Sequence, residues 1–134
     1  MTYTHNTRVW LPDTDAAGIL FFGNYFRLAH DAYEAFMESI GFDFGRIIRE
    51  TDFRPLIAHA EAGYKKPLPL GERVTVELTV VKIGQTSFHL SYSLKNAAAE
   101  VAATVKTVHV ATSKKDGRKV DLPDDLRRKL TDFM

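Results

Sequence analysis

Between residues 25 and 40, apolar residues recur at spacings of three and four: Tyr25, Leu28, Ala29, Ala32, Tyr33, Phe36, Met37 and Ile40. That spacing draws one stripe along a helix, and Arg27, Asp31, Glu34 and Glu38 fall between its members, facing away. Asn24 supplies an N-cap and Gly41 a left-handed C-terminal residue, so the pattern predicts a helix over about 24–40. On either side the rhythm changes. Residues 2–11 read as a first strand that Pro12 ends. Residues 44–50 form a short helical segment, with a turn at Thr51-Asp52. From there Val, Thr, Leu, Tyr and Phe predict strands at about 56–66, 73–83, 86–96 and 100–112. Leu70-Gly71-Glu72, Gly84-Gln85 and Lys95-Asn96 mark the connections. Lys114 to Gly117 is a further turn, and Pro123-Asp124-Asp125 opens a C-terminal helix running to about 133. One long helix followed by several antiparallel strands is an α+β pattern in which the sheet must cover the helix's apolar stripe.

With 134 residues, 45% of them apolar, the chain reads as one domain over 1–134, long enough to bury roughly two-thirds of its unfolded surface. Eighteen Lys and Arg against seventeen Asp and Glu leave a net charge of +1, which advertises neither a nucleic-acid nor a membrane footprint. The chain has no Cys, which removes disulfides, thiolate metal sites and a Cys nucleophile and fits a reducing compartment. The opening residues hold neither a charged leader nor an apolar run, and no apolar segment reaches transmembrane length, so a cytoplasmic protein is expected. There are no internal repeats, linkers or low-complexity tracts.

Chemistry concentrates just before the long helix. Gly18 and Gly23 bracket the apolar run Ile19-Leu20-Phe21-Phe22, and Asp13-Thr14-Asp15 lies upstream. Free backbone N–H groups at a helix start favour the negative charge that grows on a carbonyl oxygen under attack. A carboxylate, such an N-terminus and an apolar wall within a dozen residues make a site for attack on an activated carbonyl. The same Asp-Thr-Asp also reads as a plain turn. It does not read as a calcium loop, because Ala17 and Asn24 stand where ligands are required. Nucleophile elbow, zinc-protease, P-loop and dinucleotide patterns are missing. The five His, at positions 5, 30, 59, 89 and 109, show no metal-ligand spacing, so neither a metal nor a cofactor is expected.

The stretch DTDAAGILFFGNYFRLAHDAYEAF resembles the opening of the hotdog-fold thioesterases of the 4-hydroxybenzoyl-CoA thioesterase family. Tyr64-Lys65-Lys66-Pro67-Leu68-Pro69-Leu70-Gly71-Glu72-Arg73-Val74 resembles that family's second motif, and the likeness runs over essentially the whole chain. The resemblance implies a curved antiparallel sheet wrapped around the central helix, the hotdog arrangement. It also implies a homodimer or homotetramer with the substrate at a subunit interface. Phe22 followed by Gly-Asn-Tyr, the HDAYE helix and Pro55 to Ala60 are most similar to the 1,4-dihydroxy-2-naphthoyl-CoA thioesterases of quinone biosynthesis.

By this resemblance Asp15 aligns with the catalytic carboxylate, acting as nucleophile or as general base on water. One carboxylate suffices because a thiol of pKa roughly 8.5 leaves readily near neutral pH. Backbone N–H groups of Phe22 and Gly23 would polarise the thioester carbonyl, and Asp13 would shape the loop. Phe21, Phe22 and Tyr25 would offer a flat slot to the acyl group. His59 reads either as a substrate-pocket donor or as a strand histidine with a hydrogen-bond partner. Two departures stand out. Phe22 replaces a Tyr or His found in many members, so the oxyanion role rests on backbone. Gly84, Gln85 and Thr86 replace a cationic cluster that grips coenzyme A phosphates, which leaves Lys65 and Lys66, then Lys114, Lys115, Arg118 and Lys119, as substitutes or as a solvated face. The alternatives are a general short-chain acyl-CoA thioesterase, a non-catalytic acyl-CoA or acyl-carrier binding protein, and a hotdog dehydratase, which would need a His paired with an acid.

Overall fold

The computed structural model describes all 134 residues. Strand β1 (Tyr3–Arg8) leads through one turn of 3-10 helix (Leu11–Asp13) and a loop into helix α1 (Asn24–Ser39). After α2 (Phe44–Glu50) come β2 (Phe53–Tyr64), β3 (Arg73–Ile83), β4 (Ser87–Lys95) and β5 (Val101–Ser113), and α3 (Asp124–Thr131) closes the chain. The five strands form one antiparallel sheet in the order β1-β3-β4-β5-β2.

All eight residues of the helical stripe are buried. The sheet meets them with alternate positions, Val74, Val76, Leu78 and Val80 of β3, Phe88, Leu90, Tyr92 and Leu94 of β4, and Val105, His109 and Ala111 of β5. Period 3.6 on the helix against period 2 on the strands is what lets one face of each close on the other. Each large side chain removed from water in this way contributes about 1.5–3 kcal/mol, so the α1–sheet interface dominates the fold's stability. From α3, Leu126 and Leu130 complete the core. No helix is long and apolar enough to cross a membrane.

Two local expectations are corrected. The first strand stops at Arg8 rather than residue 11: the Val9 amide still donates to Glu72 O, but the residues after it enter the 3-10 turn that holds Pro12. Asn24 does not cap α1. It is the first helical residue, Gly23 before it is itself in the right-handed helical region (φ −68°), and the Asn24 side chain donates to Asp13 O at 2.9 Å instead. Gly41 does adopt the left-handed conformation (φ +91°), as expected of a helix terminator. The second strand begins at Phe53, earlier than its pattern suggests, and tolerates Pro55 because β2 is an edge strand.

Candidate active site

The site grows from Asp13. This carboxylate is buried, accepts the Trp10 amide at 3.0 Å and pairs with Arg27 of α1 at 2.6 Å. Arg27 also reaches Asp31 one turn on, at 2.7 Å. Asp13's own carbonyl accepts two donors, the Phe21 amide and the Asn24 side chain, both at 2.9 Å. The loop is thereby closed on the start of α1 by three contacts to one residue. Asp13 holds the loop, as its position suggested.

Within that closure Thr14 bridges Leu20, Asp15 N–H donates to Ile19 O at 2.9 Å and Gly18 N–H to Asp15 O at 3.0 Å. Gly18 (φ +77°) supplies the left-handed residue this tight turn needs. Asp15 is exposed at the tip. Its Oδ1 accepts the Ala17 amide at 2.8 Å and a longer contact from Ile19 at 3.5 Å, while Oδ2 has no protein partner. One oxygen orients the carboxylate and the other faces outward with its lone pairs free. The loop is then tied to the β2–β3 connection: Leu20 N–H donates to Leu68 O at 2.8 Å, Leu70 N–H to Gly18 O at 3.0 Å, and Ile19 bridges Pro69.

These ties create a cavity of about 340 Å³ lined by Asp15, Ile19, Leu20, Phe22, Tyr25, Tyr64, Lys65, Lys66 and Pro67. Tyr25 and Tyr64 meet edge to face with centroids 4.8 Å apart. Burial raises the Tyr25 phenol above its ordinary pKa, and Tyr64 beside it adds to the rise, so Tyr25 stays a neutral donor. The Tyr64 hydroxyl donates to Phe22 O at 2.9 Å. The amides of Phe22 and Gly23 themselves donate to nothing within the protein, two free N–H groups at the start of α1.

Of the residues singled out in the sequence, Asp15, Phe22, Tyr25, Lys65 and Lys66 therefore come together, with Gly23 adjoining. Phe21 does not line the cavity. Its ring folds back over Gly23, where an added Cβ would lie 3.1 Å from it, and packs on Phe22 at 4.6 Å. His59 is also elsewhere, and the cause is a β-bulge. The pairing with β5 slips between Ile57 and His59, so two residues that would share a face of a regular strand lie on opposite faces. Ile57 looks toward α1 with Ala60 and Tyr64. His59 looks outward, exposed, 3.3 Å from Glu61 and beside His89 and Lys106. It is an exposed strand histidine beside Glu61, not the half-buried one expected.

The two lysines differ. Lys66 pairs with Glu100, and Lys66 together with Asn96 holds the Glu100 carboxyl below its usual range. Lys65 has no ion-pair partner and is the free cation at the cavity mouth. Lys114, Lys115, Arg118 and Lys119 lie around the turn after β5 and do not line the cavity. Where the family's cationic cluster aligned, Arg127 of α3 arrives, but it is spent on the carbonyls of Gly84 and Gln85 at 3.0 and 3.2 Å. Tyr64 is the residue that sequence reasoning passed over. It stands in the second motif, yet its role rests on a hydrogen bond across 42 residues of chain, which no local pattern announces. No group of three or more His, Asp or Glu is placed to hold a metal ion.

Residues 9–130 match the Thioesterase-like superfamily. Among curated proteins, the 1,4-dihydroxy-2-naphthoyl-CoA hydrolase of Rippkaea orientalis is 33% identical over 126 residues, 92% of this chain and 90% of the relative. The hydrolase of the same description from Synechocystis is 30% identical over 133 residues, 98% and 96% of the two chains. Among solved structures, a 1,4-dihydroxy-2-naphthoyl-CoA thioesterase from Synechocystis superposes with a TM-score of 0.92 at 29% identity, covering 98% of this chain and 97% of that one.

Proposed function

Because this chain belongs to the thioesterase-like superfamily, we propose that it hydrolyses an aromatic acyl-CoA thioester, with 1,4-dihydroxy-2-naphthoyl-CoA as its substrate. The observation that carries this reading is Asp15, oriented through one oxygen and open at the other, on the wall of an aromatic cavity beside two unused backbone N–H groups.

In this reading the thioester carbonyl oxygen lies against the Phe22 and Gly23 amides, which stabilise the charge that develops there. Oδ2 of Asp15 attacks the carbonyl carbon, or draws a proton from a water that does so. The C–S bond breaks, coenzyme A leaves as thiolate, and a water oxygen ends in the product acid. Phe22, Tyr25 and Tyr64 enclose the acyl ring. Tyr64 takes the place expected of Phe21, and its phenolic oxygen, which donates to Phe22 O, keeps lone pairs that can accept from a ring hydroxyl in place of the His59 imidazole. Lys65 is the cation available to the coenzyme A phosphates.

The assembly in this proposal is a homodimer or homotetramer. It is supported by β2, which pairs with β5 on one side only and exposes Leu56, Ile57 and Tyr64. Between β2 and α1 a groove lined by Phe26, His30 and Ile57 is open. A second copy pairing there would close an edge that otherwise invites indiscriminate strand addition.

The test is a panel of aromatic and aliphatic CoA thioesters followed by thiol release. Hydroxylated aromatic acyl-CoAs, dihydroxynaphthoyl-CoA foremost, should exceed saturated short-chain ones in kcat/KM by about tenfold or more, since only they fill the aromatic slot and pair a hydroxyl within it. A preference for aliphatic chains would return the chain to a general acyl-CoA thioesterase, and binding without thiol release would make it a carrier-binding protein.

A further inference from the structure

The β1–β3 edge of the sheet carries charges that the hydrolytic cavity does not use. Arg8 and Arg73 stand directly opposite one another in the antiparallel pair, a relation that places Cβ atoms about 5 Å apart and makes like charges repel. Neither forms an ion pair. The nearby acids are engaged elsewhere: Glu72 accepts the Ala97 amide at 2.8 Å and Glu77 pairs with Lys95 at 2.6 Å. The Arg8 guanidinium lies over the indole of Trp10, 4.1 Å from the ring centroid, and its Nε is shielded from water with no hydrogen-bond partner.

The cation–π contact alone does not account for this. Such a contact contributes about 0.5–1 kcal/mol at an exposed site, whereas a shielded, unpartnered donor costs about 1–3 kcal/mol before any repulsion from Arg73 is counted. The Nη groups of Arg8 and the exposed Arg73 remain open to an anion, which would offset the repulsion between the two guanidinium groups. Around the two arginines opens a cavity of about 450 Å³, which Asn6, Trp10 and Thr75 also line. Thr75 donates to the Asn6 side-chain oxygen at 3.2 Å, which fixes that amide and leaves its N–H groups available. Trp10 remains 53% exposed, so the indole face turned away from Arg8 is open to a flat ring.

We propose that Arg8, Arg73 and Trp10 form a binding site for a nucleotide phosphate. The phosphate lies between the two guanidinium groups, whose forked N–H donors match its oxygens, and the base stacks on the open face of Trp10. A doubly charged phosphate neutralises both arginines, and the cavity has the volume of a small-ligand site. Two sources share this chemistry: the phosphorylated adenosine end of a coenzyme A substrate, and a free nucleotide acting separately. The first rests on the hydrolase reading above, while the binding itself does not.

Trp10 is the chain's single tryptophan, so its emission reports on this site alone. Titration with adenosine 3′,5′-bisphosphate should change that emission saturably. Arg73→Gln, an exposed and structurally mild change, should weaken binding by about tenfold or more, and added salt should weaken it too. Inorganic phosphate should compete less strongly because it cannot stack. Asp15→Asn should leave binding unchanged even where it abolishes turnover, which separates failure of this site from failure of the hydrolase reading. A KM for the CoA thioester that rises in Arg73→Gln, with the matching pantetheine thioester unaffected, identifies the substrate's own tail. Unchanged KM alongside intact nucleotide binding in the wild type identifies a free nucleotide. The proposal is overturned if no saturable change occurs below about 10 mM, or if Arg73→Gln binds as well as the wild type. It is equally overturned if the emission follows protein concentration rather than nucleotide, which would make the patch an interface between copies.

Discussion

Replacing Tyr64 with Phe removes one hydroxyl and tests how the oxyanion donors are held. The hydroxyl donates to Phe22 O at 2.9 Å, and the carbonyl of Phe22 belongs to the same planar trans peptide as the N–H of Gly23, which therefore points the opposite way. Clamping the carbonyl fixes the direction of the donor. The phenyl ring would keep its edge-to-face contact with Tyr25 at 4.8 Å, and Phe22 is 64% exposed, so water replaces the lost donor. The stability cost should stay near the ~1 kcal/mol of an ordinary hydrogen bond, or a few degrees in Tm. Catalysis should suffer differently. Losing an oxyanion donor outright costs roughly a hundredfold or more, and loosening its orientation should cost about a tenth of that factor, so kcat falls about tenfold, ~1.4 kcal/mol, with KM within about threefold of the wild type. Steady-state thiol release on the preferred thioester, with thermal unfolding of the same preparations, measures both. A kcat within twofold of the wild type would refute the clamp, and a raised KM alone would make Tyr64 a binding residue only.

Asp15→Asn should retain less than about a tenth of wild-type kcat/KM, a loss above ~1.4 kcal/mol, with fold and assembly unchanged; Asp13→Asn should lose less activity but unfold at lower denaturant concentration, because Asp13 ties the loop to Arg27 and Trp10. Light scattering at nanomolar concentration should find a dimer or tetramer, and a fully active monomer of 15.1 kDa would contradict the interface. Burial, with smaller contributions from His30 and His89, pushes the His109 imidazole down to about 3, so between that value and the ordinary ~6.5 the unfolded chain binds a proton the folded one refuses. Stability from this group is therefore full above pH ~6.5 and is lost as pH falls toward 3, by up to ~1.4 kcal/mol per unit, and His109→Gln should flatten that part of the denaturation profile relative to the wild type.

Helix α1 was readable because its eight stripe residues obey one period and all are buried; the Asp43 cap of α2, which accepts the Arg46 amide at 3.0 Å, is a signal the sequence carries and the pattern of apolar residues alone did not use. The resemblance put Asp13 in the loop's structure rather than its chemistry, and Lys65 and Lys66 were nominated only as cations for coenzyme A phosphates; that they share a cavity with Asp15 comes from the structure. What could not be read depends on pairing between distant segments. A bulge at residue 58 reverses the direction of His59, and no Gly in Ile57-Ala58-His59 marks it. The strand Tyr64 resembles any half-buried aromatic until Phe22 is brought to its hydroxyl. Asn24 looked like a cap because its side chain is of the capping kind, but it is already the first helical residue and its side-chain amide donates back to the Asp13 carbonyl.

The closure of the loop on Asp13 also bears on how this site can diversify. Both the Phe21 amide and the Asn24 side chain must reach the same carbonyl oxygen, so the number of residues between 13 and 24 is set by ring closure in the way that ring size is set in a macrocycle. Insertions and deletions there would misplace Asp15 and the Phe22 and Gly23 amides together, whereas the cavity-lining side chains of Ile19, Phe22 and Pro67 can be exchanged one at a time. A library aimed at new acyl groups should therefore randomise those three positions at constant length and leave the ring's circumference and the Tyr64 hydroxyl alone.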